Sequence, residues 1–146
     1  MLIGVINKMI DSYIDILFEN CPTISEIWLF GSRANDCFHD ESDWDLLVFT
    51  DDFLLTKQAV LSDSTLHRSD VDLFIMEAEN SFVSVLGQEQ KICNLVEWNW
   101  NVDTDDDAKA TYQSEKLIVD PDGEPGEDCM VPVVKTMHAH RLVKRT

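Results

Sequence analysis

The chain has 146 residues, of which 45% are hydrophobic and 27% charged, a composition typical of one globular domain rather than of a disordered chain. Its 28 acidic residues exceed its 11 basic residues, and the net charge of −17 creates a field that repels nucleic-acid phosphates. This charge argues against general nucleic-acid binding. It favours divalent cations or a basic protein partner, with a surface that only confers solubility as the alternative.

The first half of the chain predicts helices and strands in alternation. Apolar residues at helical spacing predict an amphipathic helix over residues 3–19. Short apolar runs predict strands over 24–30, 43–50 and 70–76, and a weaker helical pattern covers 53–67.

The second half predicts a further helix at about 79–92, followed by strands 94–102 and 109–119. These two strands flank the acidic turn 103–107 and are expected to form a hairpin. The resulting order of elements predicts a mixed sheet covered by helices, which is an α+β fold class.

The ends of the predicted elements suggest how the chain is divided. Residues 1–119 are expected to form the main domain, and 120–129 a turn-rich connector. Residues 130–146 contain basic but no acidic side chains, so this tail is expected to pack on the acidic body as a terminal strand or to serve as a basic arm.

The cysteines and the N-terminus indicate the cellular setting. Cys21, Cys37, Cys93 and Cys129 form no CxxC pair, and no signal-peptide pattern is present. No apolar stretch approaches the roughly 20 residues that cross a bilayer. We expect a cytoplasmic protein with reduced thiols and no membrane partner.

Three carboxylates lie on the predicted strands. Asp43 and Asp45 open the second strand and project together, because alternate strand residues share a face. Two such carboxylates repel each other unless a cation lies between them, and Mg²⁺ takes oxygen ligands from carboxylates and substrate phosphates. A third carboxylate, Asp72 on the next strand, would complete a site for two ions about 3.5–4 Å apart. Asp70 offers the same alternation as an alternative to Asp72.

The dipeptide Gly31-Ser32 follows the first predicted strand directly. Glycine lets the backbone turn tightly and approach a ligand, and the Ser32 hydroxyl and nearby N–H groups can hold a phosphate. Arg33 can add a charge-assisted contact to a triphosphate. The structural alternatives are a helix N-cap for Ser32 and an ion pair with a protein carboxylate for Arg33.

Two segments together resemble a family signature: Phe30-Gly31-Ser32-Arg33-Ala34, and Ser42-Asp43-Trp44-Asp45-Leu46-Leu47-Val48. The chain resembles the DNA polymerase β-like nucleotidyltransferase superfamily, and within it is most similar to the minimal nucleotidyltransferases. Val71-Asp72-Leu73 fits the position of that family's third carboxylate, and the resemblance covers about residues 3–76.

The resemblance implies a nucleotidyltransferase fold, with a mixed sheet flanked by helices, to which this chain would add a C-terminal hairpin and tail. It implies transfer of a nucleoside monophosphate, commonly AMP from ATP, to a hydroxyl. The implied cofactors are two Mg²⁺ ions, with Mn²⁺ as a substitute. The implied residues are Asp43, Asp45 and Asp72 for catalysis and metal binding, and Gly31, Ser32 and Arg33 for the nucleotide.

The acceptor is the part that the motifs leave open. Some minimal nucleotidyltransferases are antitoxins that adenylylate a HEPN-class toxin, and an acidic body suits such a basic partner. A homo-oligomer and a hetero-oligomer are both open as assemblies of the chain. A small-molecule acceptor is the alternative within the enzyme class. A catalytically silent module that binds a nucleotide or a partner is the alternative outside it.

Overall fold

The computed structural model describes residues 2–35, 42–86, 91–119 and 130–145, which form a mixed α+β fold with two α-helices and an eight-stranded sheet. The sheet has the order β5-β4-β3-β2-β1-β8-β7-β6, in which only β2 and β3 are parallel neighbours. The elements are α1 (Leu2–Asn20), β1 (Ile24–Phe30), β2 (Trp44–Thr50), α2 (Phe53–Ser62), β3 (Val71–Met76), β4 (Ser81–Ser84), β5 (Ile92–Asn94), β6 (Asn101–Val102), β7 (Lys109–Val119) and β8 (Met130–Lys144).

The elements predicted for the first half of the chain are confirmed, the strand bounds to within one residue. The predicted helix 53–67 is shorter than expected. It begins at the N-cap Asp52, whose carboxylate accepts a hydrogen bond from the backbone N–H of Leu55. It ends at Ser62, and a 3₁₀ turn over Ser64–Leu66 follows.

The predicted helix at 79–92 is wrong. Its described residues instead form β4 and the start of β5, which pair in antiparallel fashion and extend the sheet beyond β3. Adjacent residues of a strand face opposite sides of the sheet. Because Phe82 and Val83 are both buried, β4 is covered on both faces. Pairing with the edge of β3 thus outweighs the weak helical periodicity.

The predicted strand 94–102 is also only partly present. It consists of the end of β5 and the short β6, with a turn over 95–99 between them. The hairpin predicted across the acidic turn 103–107 is confirmed only next to the turn, where β6 pairs with β7 through Asn101–Thr111 and Val102–Ala110.

The sheet separates two cores. Both helices pack on one face, where Ile27 and Leu29 of β1 are buried. Trp28 and Phe30 alternate with them and point to the other face, which is built largely of aromatic side chains and which we call the aromatic face. No helix in the described ranges is long and apolar enough to span a membrane.

The basic C-terminal segment forms β8, which lies between β1 and β7. Its pairing with β7 runs from Lys109–His140 to Val119–Met130, whereas its pairing with β1 is confined to residues 140–144. Residues 113–119 and 130–136 therefore continue as a two-stranded ribbon past the end of β1. We call this ribbon the β-arm.

Arg145 fastens the end of the chain to α1. Its guanidinium donates hydrogen bonds to the backbone carbonyls of Phe18 (2.7 Å) and Ile24 (3.0 Å). It also lies 3.9 Å from the centre of the Phe18 ring. These contacts satisfy a carbonyl in the last turn of the helix and place a cation where the helix dipole is negative.

Replacement of Arg145 by Met keeps the aliphatic stem but removes these contacts. We expect the free energy of unfolding to fall by about 1–2 kcal/mol, the size of one or two hydrogen bonds from a charged group. The measurement is urea unfolding, with Lys144→Met as the control because Lys144 is exposed on the neighbouring position. Equal losses in the two variants would contradict this role of Arg145.

Candidate active site

Asp45 and Asp72 lie side by side at one end of the sheet. They are register partners on the parallel strands β2 and β3, and Phe30 at the end of β1 is the partner of Asp45 on its other side. Register partners point to the same face, so both carboxylates lie on the aromatic face. Asp43, two residues before Asp45, is exposed just ahead of β2. The three predicted carboxylates are thus brought to the same end of the sheet.

Asp45 is held in an environment that disfavours its charge. Burial is the largest cause, followed by the negative charges of Asp72 and Asp43, and together they raise the pKa of Asp45 to about 7. The positive charge of Lys91 acts in the opposite direction. A cation near Asp45 would therefore stabilise the ionised carboxylate.

Lys91 already places one positive charge at this site. Its ammonium lies 3.0 Å from Oδ2 of Asp72, and the hydrogen bond to that carboxylate is the main cause that raises the pKa of Lys91. The Lys91 backbone is fixed to β4, because its N–H donates to the Ser84 hydroxyl and its carbonyl accepts from the Ser84 N–H. The sequence reasoning missed Lys91 because the residue lay in the wrongly predicted helix.

Gly31 is required by the closeness of Asp45. Its φ is +73°, a conformation that L side chains rarely adopt. A Cβ at this position would also clash with Oδ2 of Asp45 and lie 2.9 Å from its Cγ. The glycine predicted from the motif is therefore the place where the backbone passes directly over a site carboxylate.

The turn after Gly31 is tied to the C-terminal strands. The Gly31 N–H donates to the Tyr112 hydroxyl at 2.8 Å. The Asn35 amide nitrogen donates to the carbonyls of Gly31 (2.7 Å) and His138 (2.9 Å), and its oxygen accepts from the His138 N–H (2.7 Å). Tyr112 and Asn35 were missed by the sequence reasoning, since these partners lie 81 and 103 residues apart in the chain.

Arg33 lies within the 3₁₀ turn Ser32–Ala34 and is only 4% exposed. Its guanidinium stacks 4.3 Å from the centre of the Trp44 ring, and its Nε donates to the carbonyl of Ser42. Arg33 thereby joins the turn to the residues that lead into β2. The contacts of Ser32 and Arg33 with a nucleotide stay predictions, and residues 36–41 between them and β2 lie outside the described part of the chain.

Asp70, the alternative to Asp72, is engaged elsewhere. Both of its carboxylate oxygens accept hydrogen bonds from Arg68, at 2.8 and 2.6 Å. These bonds are the main cause that lowers the pKa of Asp70. The arrangement favours Asp72, which is register-paired with Asp45, as the third carboxylate.

The carboxylates of Asp45 and Asp72 are donors of the type that a hard divalent cation takes, because carboxylate oxygens are the ligands that Mg²⁺ prefers. Burial, and then the charges of Asp72 and Asp43, raise the pKa of Asp45, so a nearby cation would favour its ionised form. Across the described ranges, no three His, Cys, Asp or Glu side chains are already gathered as a metal site. Lys91 instead neutralises Asp72.

Trp98 and Trp100 lie on the aromatic face. The Trp98 ring stacks on Tyr112 with 5.2 Å between centroids, and Trp100 also stacks on Tyr112. Both tryptophans pack against the buried cluster that contains Phe30. These contacts make the two tryptophans part of the packing of this face, and Trp98 also lines a cavity.

Part of the chain matches a known protein family. Residues 12–67 match the family model described as polymerase beta, nucleotidyltransferase. The matched segment contains Gly31, Asp43 and Asp45 and ends before Asp72 and Lys91. No curated protein and no solved structure matches the chain.

The raised pKa of Asp45 predicts a pH dependence of stability in metal-free protein. Between the ordinary pKa of 3.8 and about 7, folded Asp45 holds a proton that unfolded Asp45 has released. Stability should therefore fall as the pH rises through this range. Asp45→Asn should remove this loss of stability. Thermal unfolding in the presence of a chelator should therefore give this variant a higher Tm than the unsubstituted protein at pH 8 and the same Tm near pH 4.

Asp70→Asn is the matched control for this titration, because the lowered pKa of Asp70 predicts the opposite sign. That variant should lose stability at pH 8 relative to the unsubstituted protein. Parallel curves for Asp45→Asn and the unsubstituted protein at all pH values would contradict the environment assigned to Asp45.

Gly31→Ala should be destabilising because the new methyl group meets Asp45 in a backbone conformation that alanine disfavours. We expect a loss of about 1–3 kcal/mol in the free energy of unfolding. Adding Asp45→Ala removes the carboxyl group and should recover part of that loss. Strictly additive effects of the two substitutions in a denaturant-unfolding cycle would show that Gly31 and Asp45 are not in contact.

Proposed function

We propose that this chain, whose residues 12–67 belong to the DNA polymerase β-like nucleotidyltransferase superfamily, transfers AMP from ATP to a hydroxyl acceptor. The family match itself indicates nucleotidyl transfer in general. The observation that carries the finer proposal is the pairing of Asp45 with Asp72 directly beside the Gly31 turn, which gathers carboxylate oxygens of the kind that the metal ions of a bound nucleotide take.

In this reaction the acceptor oxygen attacks the α-phosphorus, and the bond to the β-phosphate oxygen breaks to release pyrophosphate. Asp43, Asp45 and Asp72 would hold two Mg²⁺ ions, or Mn²⁺ in their place, which would polarise the α-phosphate and stabilise the charge of the leaving group. Asp72 would take up the proton of the acceptor hydroxyl.

Other residues of the site would orient the nucleotide. The absence of a side chain at Gly31 lets the turn lie against the Asp45 carboxylate, and the hydrogen bond to Tyr112 holds the turn in place. Lys91 supplies a positive charge on the same face, which could pair with the triphosphate once Asp72 is otherwise engaged. Ser32 and Arg33 complete the proposed nucleotide-binding turn, with Arg33 holding the turn against Trp44 from a buried position.

The proposed acceptor is a basic protein, such as a toxin of the HEPN class in an antitoxin pair. The support for this choice is the net charge of −17, which would attract a basic partner and steer its approach. A small hydroxylated molecule is the alternative acceptor. The cytoplasm is the proposed location.

A catalytically silent binding module is the second candidate function. It is favoured by the ion pair between Lys91 and Asp72, which neutralises a carboxylate that the reaction needs. Such a module would bind ATP at Gly31 and Asp45 without transferring AMP.

The two candidates differ in a transfer assay with ATP labelled at the α-phosphate, Mg²⁺ and a set of basic proteins and small alcohols. We expect label transfer and pyrophosphate release, and a loss of about 100-fold or more in Asp45→Asn and Asp72→Asn. Asp70→Asn is the matched control, because Asp70 pairs with Arg68, and should keep its rate within about threefold.

Equal losses in Asp70→Asn and Asp72→Asn would contradict the assigned site. ATP binding that is measured by calorimetry, without transfer to any supplied acceptor, would favour the silent module.

A further inference from the structure

A cavity of about 490 Å³ lies where the β-arm begins, between β7 and the turn 95–99. Trp98 and Tyr112 form an aromatic wall, and Val134 of β8 adds an apolar contact. Glu97 and Glu115 also line the cavity, and both are exposed. None of the residues proposed to hold the metal ions or the nucleotide lines this cavity, which lies beyond the segment that matches the family model.

The cavity is built on a fixed frame. The Trp98 and Tyr112 rings are stacked, with an interplanar angle of 22°. The Gln113 N–H donates to the Trp98 carbonyl at 2.7 Å, which ties the turn to the β-arm. Trp98 further packs edge-on against Phe30 and Phe82. A ligand would meet a preformed aromatic surface, which lowers the cost of ordering the site on binding.

The same aromatic side chains connect the cavity to the catalytic carboxylates. The Tyr112 hydroxyl accepts the Gly31 N–H, and Gly31 lies against Asp45. Phe30, which contacts both rings of the wall, is the register partner of Asp45. A molecule seated on this wall therefore lies next to the turn that is proposed to hold the nucleotide.

The chemistry of the lining selects for positive charge. Two glutamates and two aromatic rings line the cavity, and its described lining residues include no lysine or arginine. Because Tyr112 is buried, the half-buried Trp98 ring and the two carboxylates are the groups that would attract an organic cation, whereas the carboxylates would repel the phosphates of a nucleotide. The cavity thus suits a ligand other than ATP.

We propose that this cavity binds a positively charged group of the acceptor, so that the acceptor is an organic cation that carries the reacting hydroxyl. The role of this ligand as the acceptor rests on the proposed function, whereas the binding of a cation rests on the cavity alone. An alkylammonium or a guanidinium has the required chemistry. It can belong to a small amine or to a lysine or arginine side chain of a basic protein.

The binding test uses tryptophan fluorescence with argininamide as the probe and its neutral counterpart citrullinamide as the matched ligand. We expect saturable quenching by argininamide with a dissociation constant at least about tenfold below that of citrullinamide. The double variant Glu97→Gln/Glu115→Gln should raise the argininamide constant by about tenfold or more, and Trp98→Phe should abolish most of the quenching.

Glu79→Gln is the control, because it removes one exposed carboxylate outside the cavity and changes the net charge in the same direction. The proposal is overturned if this control weakens argininamide binding as much as Glu97→Gln alone or Glu115→Gln alone. It is also overturned if ATP competes with argininamide for the same fluorescence change, because the cavity would then hold the nucleotide.

The transfer test distinguishes the two sources of the cation. One arm offers 4-amino-1-butanol as the acceptor, and the other a serine peptide flanked by arginines, with citrulline in place of arginine as its control. In the arm that supports turnover, Glu97→Gln/Glu115→Gln should raise the KM for the acceptor by about tenfold and leave the KM for ATP unchanged.

An unchanged acceptor KM in the double variant would overturn the proposal. Because the fluorescence titration needs no turnover, charge-selective binding without transfer in either arm would contradict the proposed function and not the cation site.

Discussion

Two carboxylates held side by side at one end of the sheet are the constraint around which this molecule is arranged. The parallel register of β2 and β3 makes Asp45 and Asp72 neighbours, and burial then raises the pKa of Asp45 to about 7. The fold maintains this unfavourable arrangement because hydrophobic packing on both faces of the sheet fixes the register. Perturbed pKa values of this kind occur at functional sites more often than elsewhere.

The neighbouring structure follows from the same pair. Gly31 must lack a side chain because Asp45 lies directly against it, and the hydrogen bond from Gly31 to Tyr112 then ties the turn to the C-terminal strands. Lys91, on the other side of the pair, offsets the charge of Asp72. The C-terminal third of the chain is therefore part of the site. It anchors the turn over the carboxylates and also forms the cavity at the base of the β-arm.

The sequence was informative where the determinants are local. Helical periodicity predicted α1, and short apolar runs predicted β1, β2 and β3. The Gly-Ser and Asp-x-Asp motifs predicted the superfamily that the match over residues 12–67 supports, while the minimal-nucleotidyltransferase subtype stays a prediction. The sequence was misleading where long-range pairing decides. β4 forms because the edge of β3 is available, and Lys91 and Tyr112 reach the site only through contacts with strands distant in the chain.

The titration of Asp45 tests the central claim most directly, because the claim is that Asp45 and Asp72 form a carboxylate centre for a divalent cation. Carbon-13 NMR of the Asp45 carboxyl group, assigned with Asp45→Asn, measures its pKa without and with Mg²⁺. The account predicts a midpoint of about 7 in metal-free protein and a fall of about one unit or more as Mg²⁺ is added. An ordinary midpoint near 3.8, or a raised midpoint that Mg²⁺ leaves unchanged, would contradict it.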